Sequence, residues 1–170
     1  PPSAKTPSRL FVSGPLAREL TQLATPHFAV HVVSERIGDA SAVKMLDAVM
    51  TKGVTALLFQ MLIAAKRLGV ADTLMQLADP SRRAFFEWID QMLPIMPPKA
   101  YRWVPEVAEI ARTLDAAGLS GDMMRACAPV FDAVAQTPLG QETSEERVKQ
   151  NRSGAEVAEL LVATLRAINK

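Results

Sequence analysis

The stretch "IGDASAVKMLDAVMTKG", residues 37–53, ends an extended segment at a glycine and opens a helix with a lysine among its apolar residues. Asp39 stands where a helix cap belongs, and Ala40, Ala42, Val43, Met45 and Leu46 give Lys44 apolar neighbours on several sides. Two readings of Lys44 stay open. Its four-carbon stem packs while the ammonium reaches water, or the amine is held among apolar groups to move a proton.

Upstream, "RLFVSG" (Arg9–Gly14) and "FAVHVV" (Phe28–Val33) are short β-branched, aromatic-containing runs with the amphipathic "PLARELTQLAT" between them. That pattern predicts strand, helix, strand. After Gly38 the strand signals stop and apolar residues recur at helical spacing almost to the end of the chain. The expected architecture is mainly α: a long central helix and its neighbours, preceded by the short strand-helix-strand segment.

The central helix is expected from Asp39 to Leu68, with Gly69 as its stop. Gly53 inside it costs roughly 1 kcal/mol relative to alanine and marks a place where another group comes close. From Val54 to Ala65 the helix is apolar nearly all round. Val54, Leu57, Leu58, Met61, Leu62 and Ala65 form one broad face, with Ala56, Phe59 and Ile63 turned toward another, and a homodimer is the expected cover for both. Further helices are expected near Ala71–Leu77, Ser81–Leu93, Pro105–Ala117, Gly121–Ala135, Ser144–Val148 and Ala155–Ile168. Pro105 suits a first helical turn and Pro129 should kink its helix. "LPIMPPKAYRW" reads as a proline-rich loop, and Thr143 and Glu146 are spaced as a capping box.

Composition excludes several classes. The chain has 170 residues, 49% of them apolar, enough for a real core. Nineteen basic and eighteen acidic side chains leave a formal charge of +1, far from the basic balance of phosphate-backbone binders. No nucleic-acid partner is expected. Cys127, the single cysteine, sits among Ala126, Ala128 and Val130 and reads as a buried apolar residue, which suits a reducing cytoplasm. The apolar run from Val54 to Ala65 is broken by Gln60 and too short to span a bilayer, so no membrane partner is expected either. His27 and His31 lack companions at ligand spacing, so no metal site is expected. Glu106 and Glu109, three apart on one helical face, read as solvated carboxylates, as Arg82 and Arg83 read as solvated cations. No Gly-rich phosphate loop occurs anywhere in the sequence.

"GDASAVK" resembles the Gly-x-Gly-x-x-x-Lys segment of the β-hydroxyacid dehydrogenase and 6-phosphogluconate dehydrogenase superfamily. Gly38 falls at the first glycine, Ala40 replaces the second, and Lys44 falls on the catalytic lysine. "TKG", "YRWVPEVAEIARTLDAAGL" and the stretch 38–135 look most like the C-terminal domain of that superfamily's phosphogluconate dehydrogenase-like, uncharacterised type. The resemblance implies that residues 1–37 are the end of a dinucleotide-binding (Rossmann) domain and residues 38–170 an all-α catalytic and dimerisation domain. It also implies NAD or NADP as cofactor, held mainly by a domain upstream of Pro1, and a small acid as substrate. "PPSAKTPS" at the start reads as an interior linker, so the chain is expected to be the C-terminal portion of a longer enzyme.

Two departures modify that picture. The superfamily's asparagine four residues after the lysine is Ala48 here, preceded by Asp47, so the substrate contact must differ. The lysine-aspartate pair that opens a later helix near the cofactor falls on Pro105 and Glu106, leaving Glu106 with Gly38 as cofactor-side candidates. Asp47, Thr51 and Lys52 are the substrate-side candidates. On an ideal helix Lys52 lies about 80° round and roughly 12 Å along from Lys44, which suits an anion-binding group at the far end of a small acid.

Two functions from different classes are expected. One is the catalytic half of an NAD(P)-dependent oxidoreductase acting on a small 3-hydroxy acid or sugar acid, with Lys44 as general acid and base. The other is a noncatalytic all-α homodimerisation module without a cofactor domain.

Overall fold

The computed structural model describes residues 7–165. Two parallel strands, β1 (Ser8–Ser13) and β2 (Phe28–Ser34), pair from Ser8 opposite Phe28 onward and are joined through a 3-10 helix at Ala17–Leu23. Parallel pairing requires such a crossover, so the strand-helix-strand reading holds, with a tighter helix than its amphipathic pattern suggested. Ten α-helices come next among the described residues: α1 (Asp39–Ala48), α2 (Thr55–Arg67), α3 (Ala71–Gln76), α4 (Pro80–Met92), α5 (Ala100–Ala116), α6 (Asp122–Arg125), α7 (Ala128–Ala135), α8 (Pro138–Gln141), α9 (Ser144–Gln150) and α10 (Gly154–Thr164). A π-helical turn, Val49–Val54, lies between α1 and α2. The chain divides into two compact units, one ending at Asp47 and the other beginning at Ala48.

In the second unit α2 is the core helix. Thr55, Ala56, Leu58, Phe59, Ile63 and Ala65 are buried, and α3, α4, α7 and α10 pack against it. It ends as its sequence requires. Gly69 takes φ 70°, its N–H donates to Lys66 O, and the Val70 N–H donates to Ala65 O, so the last carbonyls are satisfied in a left-handed turn that glycine enters without a Cβ clash. The expected broad face divides: Leu58 and Ala65 are buried, whereas Leu57 is 68% exposed. The helical run Asp39–Arg67, 29 residues in all, is long and apolar enough to cross a membrane by length and composition, although its α2 portion is packed among helices.

The helix α5 begins five residues before the expected Pro105. Ala100, Trp103, Val107, Ile110 and Ala111 are buried at helical spacing, so part of the expected proline-rich loop is helical. Pro105 therefore lies inside the helix, exposed, where its missing N–H leaves the carbonyl of exposed Tyr101 to water. Pro129 does not kink a helix either. It sits in the first turn of α7, where no N–H is needed, and the expected 121–135 helix is two helices, α6 and α7. The start of α4 follows the same rule, with Asp79 accepting from the Arg82 N–H and Pro80 in the first turn. The expected last helix ends at Thr164, and its final residues 166–168 lie outside the described ones.

Capping boxes open both α9 and α10. Thr143 and Glu146 form the expected one, and Ser153 and Glu156 form a second. Donation from the Ser153 backbone N–H, then from its hydroxyl, holds Glu156 below the ordinary carboxylate range. A depressed folded-state pKa adds stability above the ordinary value that is lost as pH falls through the depressed one. Glu156→Gln should therefore destabilise the fold at pH 7, with the difference from wild type vanishing as pH falls through the depressed value in urea titrations. Ser153→Ala, which also removes the cap acceptor, should cost about 0.5–2 kcal/mol.

Candidate functional site

In the first unit the turn into α1 is built from short side chains. Gly38 has φ 96°, a conformation that side-chain-bearing residues rarely adopt. Asp39 is not the cap expected of it. Its carboxylate accepts from Ser34 Oγ at 2.6 Å and Arg36 Nε at 2.8 Å, while the Ala40 N–H donates to Ser13 Oγ at 3.0 Å. The serine that ends β1 thus satisfies a first-turn donor of α1. The Ser34 and Arg36 donations, helped by the Arg36 charge, hold Asp39 below its ordinary range. Met45 is buried, whereas Lys44 and Asp47 are exposed. Within this chain the apolar neighbours in sequence do not enclose Lys44.

In the second unit a substrate-side and a cofactor-side candidate meet. Lys52, in the π turn, is 8% exposed, and its Nζ lies 2.8 Å from Glu106 Oε2. The same ammonium stands 5.5 Å from the centroid of the Trp103 ring. A buried ammonium needs such compensation, and a carboxylate together with an aromatic face provides it. Trp103 and Glu106 are three apart on α5 and so share a face. Arg102 adds a second cation, its Nη2 3.9 Å from Glu106 Oε1. Two cations and one carboxylate leave the cluster with one net positive charge.

The indole is held in turn by Phe131, whose ring meets it edge to face with centroids 5.1 Å apart. The close approach expected at Gly53 is not needed: a Cβ there would stand 3.4 Å from Met124 Sδ, an ordinary van der Waals contact. Thr51, half-buried, accepts the Thr55 hydroxyl at its carbonyl. The π turn breaks the regular 100° per residue on which the expected offset between Lys44 and Lys52 rests, so that ideal-helix spacing does not carry over.

Trp103 is the functional-site candidate that sequence reasoning missed. Its signal was the buried period through Ala100, Trp103 and Val107, which the neighbouring prolines obscured. Elsewhere the chain offers little. Burial pushes the Cys127 thiol up, away from reactivity, and His31 is an exposed strand residue stacked on Phe11. Among the described residues no group of three or more His, Cys, Asp or Glu side chains is placed to hold a metal.

The fold has counterparts among solved structures. A conserved hypothetical protein from Sinorhizobium meliloti 1021 matches 91% of this chain with a TM-score of 0.71 and 28% identity. A conserved protein of unknown function, MTH1747, matches 75% of it with a TM-score of 0.62 and 31% identity, and its structure is described as similar to 3-hydroxyacid dehydrogenases. The chain is thus similar to a structure that is itself described as resembling 3-hydroxyacid dehydrogenases.

That similarity agrees with the resemblance seen in Gly38 and Lys44, and the chain shares its mainly α architecture. Residues 65–134 match the family model described as a domain of unknown function (DUF1932). An uncharacterised 28.5 kDa protein of Methanothermus fervidus is 30% identical over 71 residues, 42% of this chain and 28% of that protein. The chain spans about half of each of the two solved chains, 51% and 49%.

The ion pair makes an asymmetric prediction. Glu106→Gln strands a buried ammonium, whereas Lys52→Met leaves a carboxylate that is one-third exposed and can take water. Glu106→Gln should cost about 1–3 kcal/mol, and Lys52→Met clearly less, in chemical denaturation of the same protein. Equal losses would contradict the burial argument.

Proposed function

We propose that the protein carrying this chain is an NAD(P)-dependent oxidoreductase that moves a hydride between a nicotinamide and a small 3-hydroxy acid or sugar acid. The observation that carries the reading is the Gly38 turn at φ 96°, a glycine-requiring geometry six residues ahead of Lys44 in a chain similar to 3-hydroxyacid dehydrogenases. Lys44 is the general acid and base. As the substrate carbonyl forms it takes the hydroxyl proton, and in the reverse direction it returns that proton. Its exposure within this chain leaves the amine open to substrate.

Lys52, pre-positioned by Glu106 and Trp103, is the proposed anchor for the acid's carboxylate. An ammonium has three N–H donors, so its bond to Glu106 leaves capacity for a second acceptor. Asp47 and Thr51 are proposed as further substrate contacts in place of the absent asparagine. Gly38 and Glu106 are proposed to border the cofactor. The nicotinamide, when bound, supplies the hydride chemistry. Residues 1–37, with their parallel strand pair, are proposed as the end of the domain that holds the cofactor's pyrophosphate and residues 38–170 as the helical domain. We place the protein in the cytoplasm.

The exposed stripe on α2 also supports homodimerisation. Leu57, Met61, Ala64 and Leu68 succeed one another at helical spacing, with Leu57 and Leu68 largely open to solvent. The same stripe is the observation that favours the second reading, a noncatalytic all-α association module. Analytical ultracentrifugation at micromolar concentration should give a dimer in either case, with an interface above roughly 2,000 Å² in total. A monomer at every concentration overturns the pairing.

Kinetics separate the two readings. In the full-length protein Lys44→Met should lower kcat by about 10²–10⁴-fold while leaving the dissociation constant for the dinucleotide unchanged. A variant retaining more than a third of wild-type turnover, with chemistry rate-limiting, removes Lys44 from the mechanism.

A further inference from the structure

Away from the Lys52 cluster, and sharing no residue with it, a cleft of about 240 Å³ opens between the segment at Pro94–Pro98 and the helices α8 to α10. That volume lies below the roughly 300–1,000 Å³ of pockets for drug-sized ligands, so a dinucleotide is excluded and a small molecule fits. One wall is apolar. Pro94, Pro97, Pro98, Leu139 and Val157 form it, and the three prolines present no backbone N–H, so this side is rigid and offers few donors.

The opposite edge is cationic and fixed. The helix α9 ends at Asn151 in a left-handed conformation, φ 46° and ψ 41°, rare for a residue with a side chain. The Asn151 N–H donates to Arg147 O at 3.1 Å, and this turn leaves Arg147, Asn151 and Arg152 all lining the cleft. Arg152 is pinned by Glu142, with Nη1 at 2.8 Å from both carboxylate oxygens and both side chains about four-fifths buried. A guanidinium has five N–H donors, so the contact through Nη1 leaves Nε and Nη2 for a ligand. Among the described residues Arg147 makes no ion pair. Among the lining side chains two guanidiniums face one carboxylate, while Glu156, outside the lining, sets a second carboxylate within electrostatic reach of Arg152.

We propose that this cleft binds a small monocarboxylate with an apolar body. The carboxylate is taken by Arg147 and the unused face of Arg152, with the Asn151 amide beside them, and the hydrocarbon lies on the proline wall. A guanidinium matches a carboxylate in bidentate geometry. The lining's own excess is one positive charge, and Glu156 beside Arg152 disfavours a dianion further, so a monoanion suits the cleft better than a phosphate dianion. The proposal is independent of hydride transfer and of Lys44.

Hexanoate is the probe, titrated into the full-length protein with the valine and leucine methyl groups followed by NMR. Saturable shifts at the Val157 and Leu139 methyls are expected. They should need at least tenfold more ligand in Arg147→Gln and be lost in Val148→Trp, which fills the cleft from a rim position that is 62% exposed and so leaves the fold intact. Hexan-1-ol should bind at least tenfold more weakly than hexanoate. Equal binding of the alcohol, binding of inorganic phosphate as tight as that of hexanoate, or no shift at Val157 and Leu139 overturns the proposal.

Discussion

An apolar helix in water has to be covered, and in the second unit that requirement organises most of the chain beyond Arg67. Thr55, Ala56, Leu58, Phe59, Ile63 and Ala65 turn inward from α2, and α3, α4, α7 and α10 come to rest on it. The close approach of α10 to α4 shows how tightly. A Cβ at Gly154 would lie 2.3 Å from the Asp90 carbonyl oxygen, so the start of α10 meets the backbone of α4 with no room for any side chain. The helix α5 belongs to a second layer, packed on α6, α7 and the π turn. Interiors packed this closely transmit a change at one contact to the next.

The same packing explains how a lysine comes to be buried. The π turn at Val49–Val54 directs Lys52 into the protein, and the carboxylate and indole of α5 make that position tolerable. A buried charge pair is weak evidence for stability, because desolvation offsets much of its attraction. It is better evidence of a fixed arrangement, since an ammonium held by a carboxylate on one side and a ring on another has little freedom left. π turns inside longer helices occur often at functional sites. Both Lys52 and Gly53 lie in this one.

Local signals in the sequence were readable where one residue's chemistry decides the outcome. The two strands, the stop at Gly69 and the capping box at Thr143 and Glu146 arise from propensity and spacing alone. Prolines misled, because Pro105 and Pro129 each have more than one permitted place in a helix and only packing chooses between them. The early start of α5 was hidden for that reason, and Trp103 with it. Lys52 and Glu106 were each visible as candidates, but their pairing joins positions 54 residues apart in the chain, which no local pattern encodes. The π turn was invisible too, as it arises when packing makes room for a wider turn. The exposure of Lys44 runs against its neighbours in sequence, since apolar neighbours do not enclose it when they are open to solvent themselves, Val43 at 42% and Leu46 at 51%.

The chain has two tryptophans, and they stand in opposite surroundings. Trp88 on α4 is 39% exposed, while Trp103 is 7% exposed, with an ammonium over its face and a phenyl ring at its edge. Light absorbed by the first is emitted from a wet indole and by the second from a dry one beside a fixed charge. Collisional quenchers dissolved in water reach Trp88 first, which leaves Trp103 as a resolvable emission. The field of Lys52 acts directly on that indole's excited state. An anion arriving at the ammonium changes the field, so the second unit carries an intrinsic optical reporter of whatever binds beside α5.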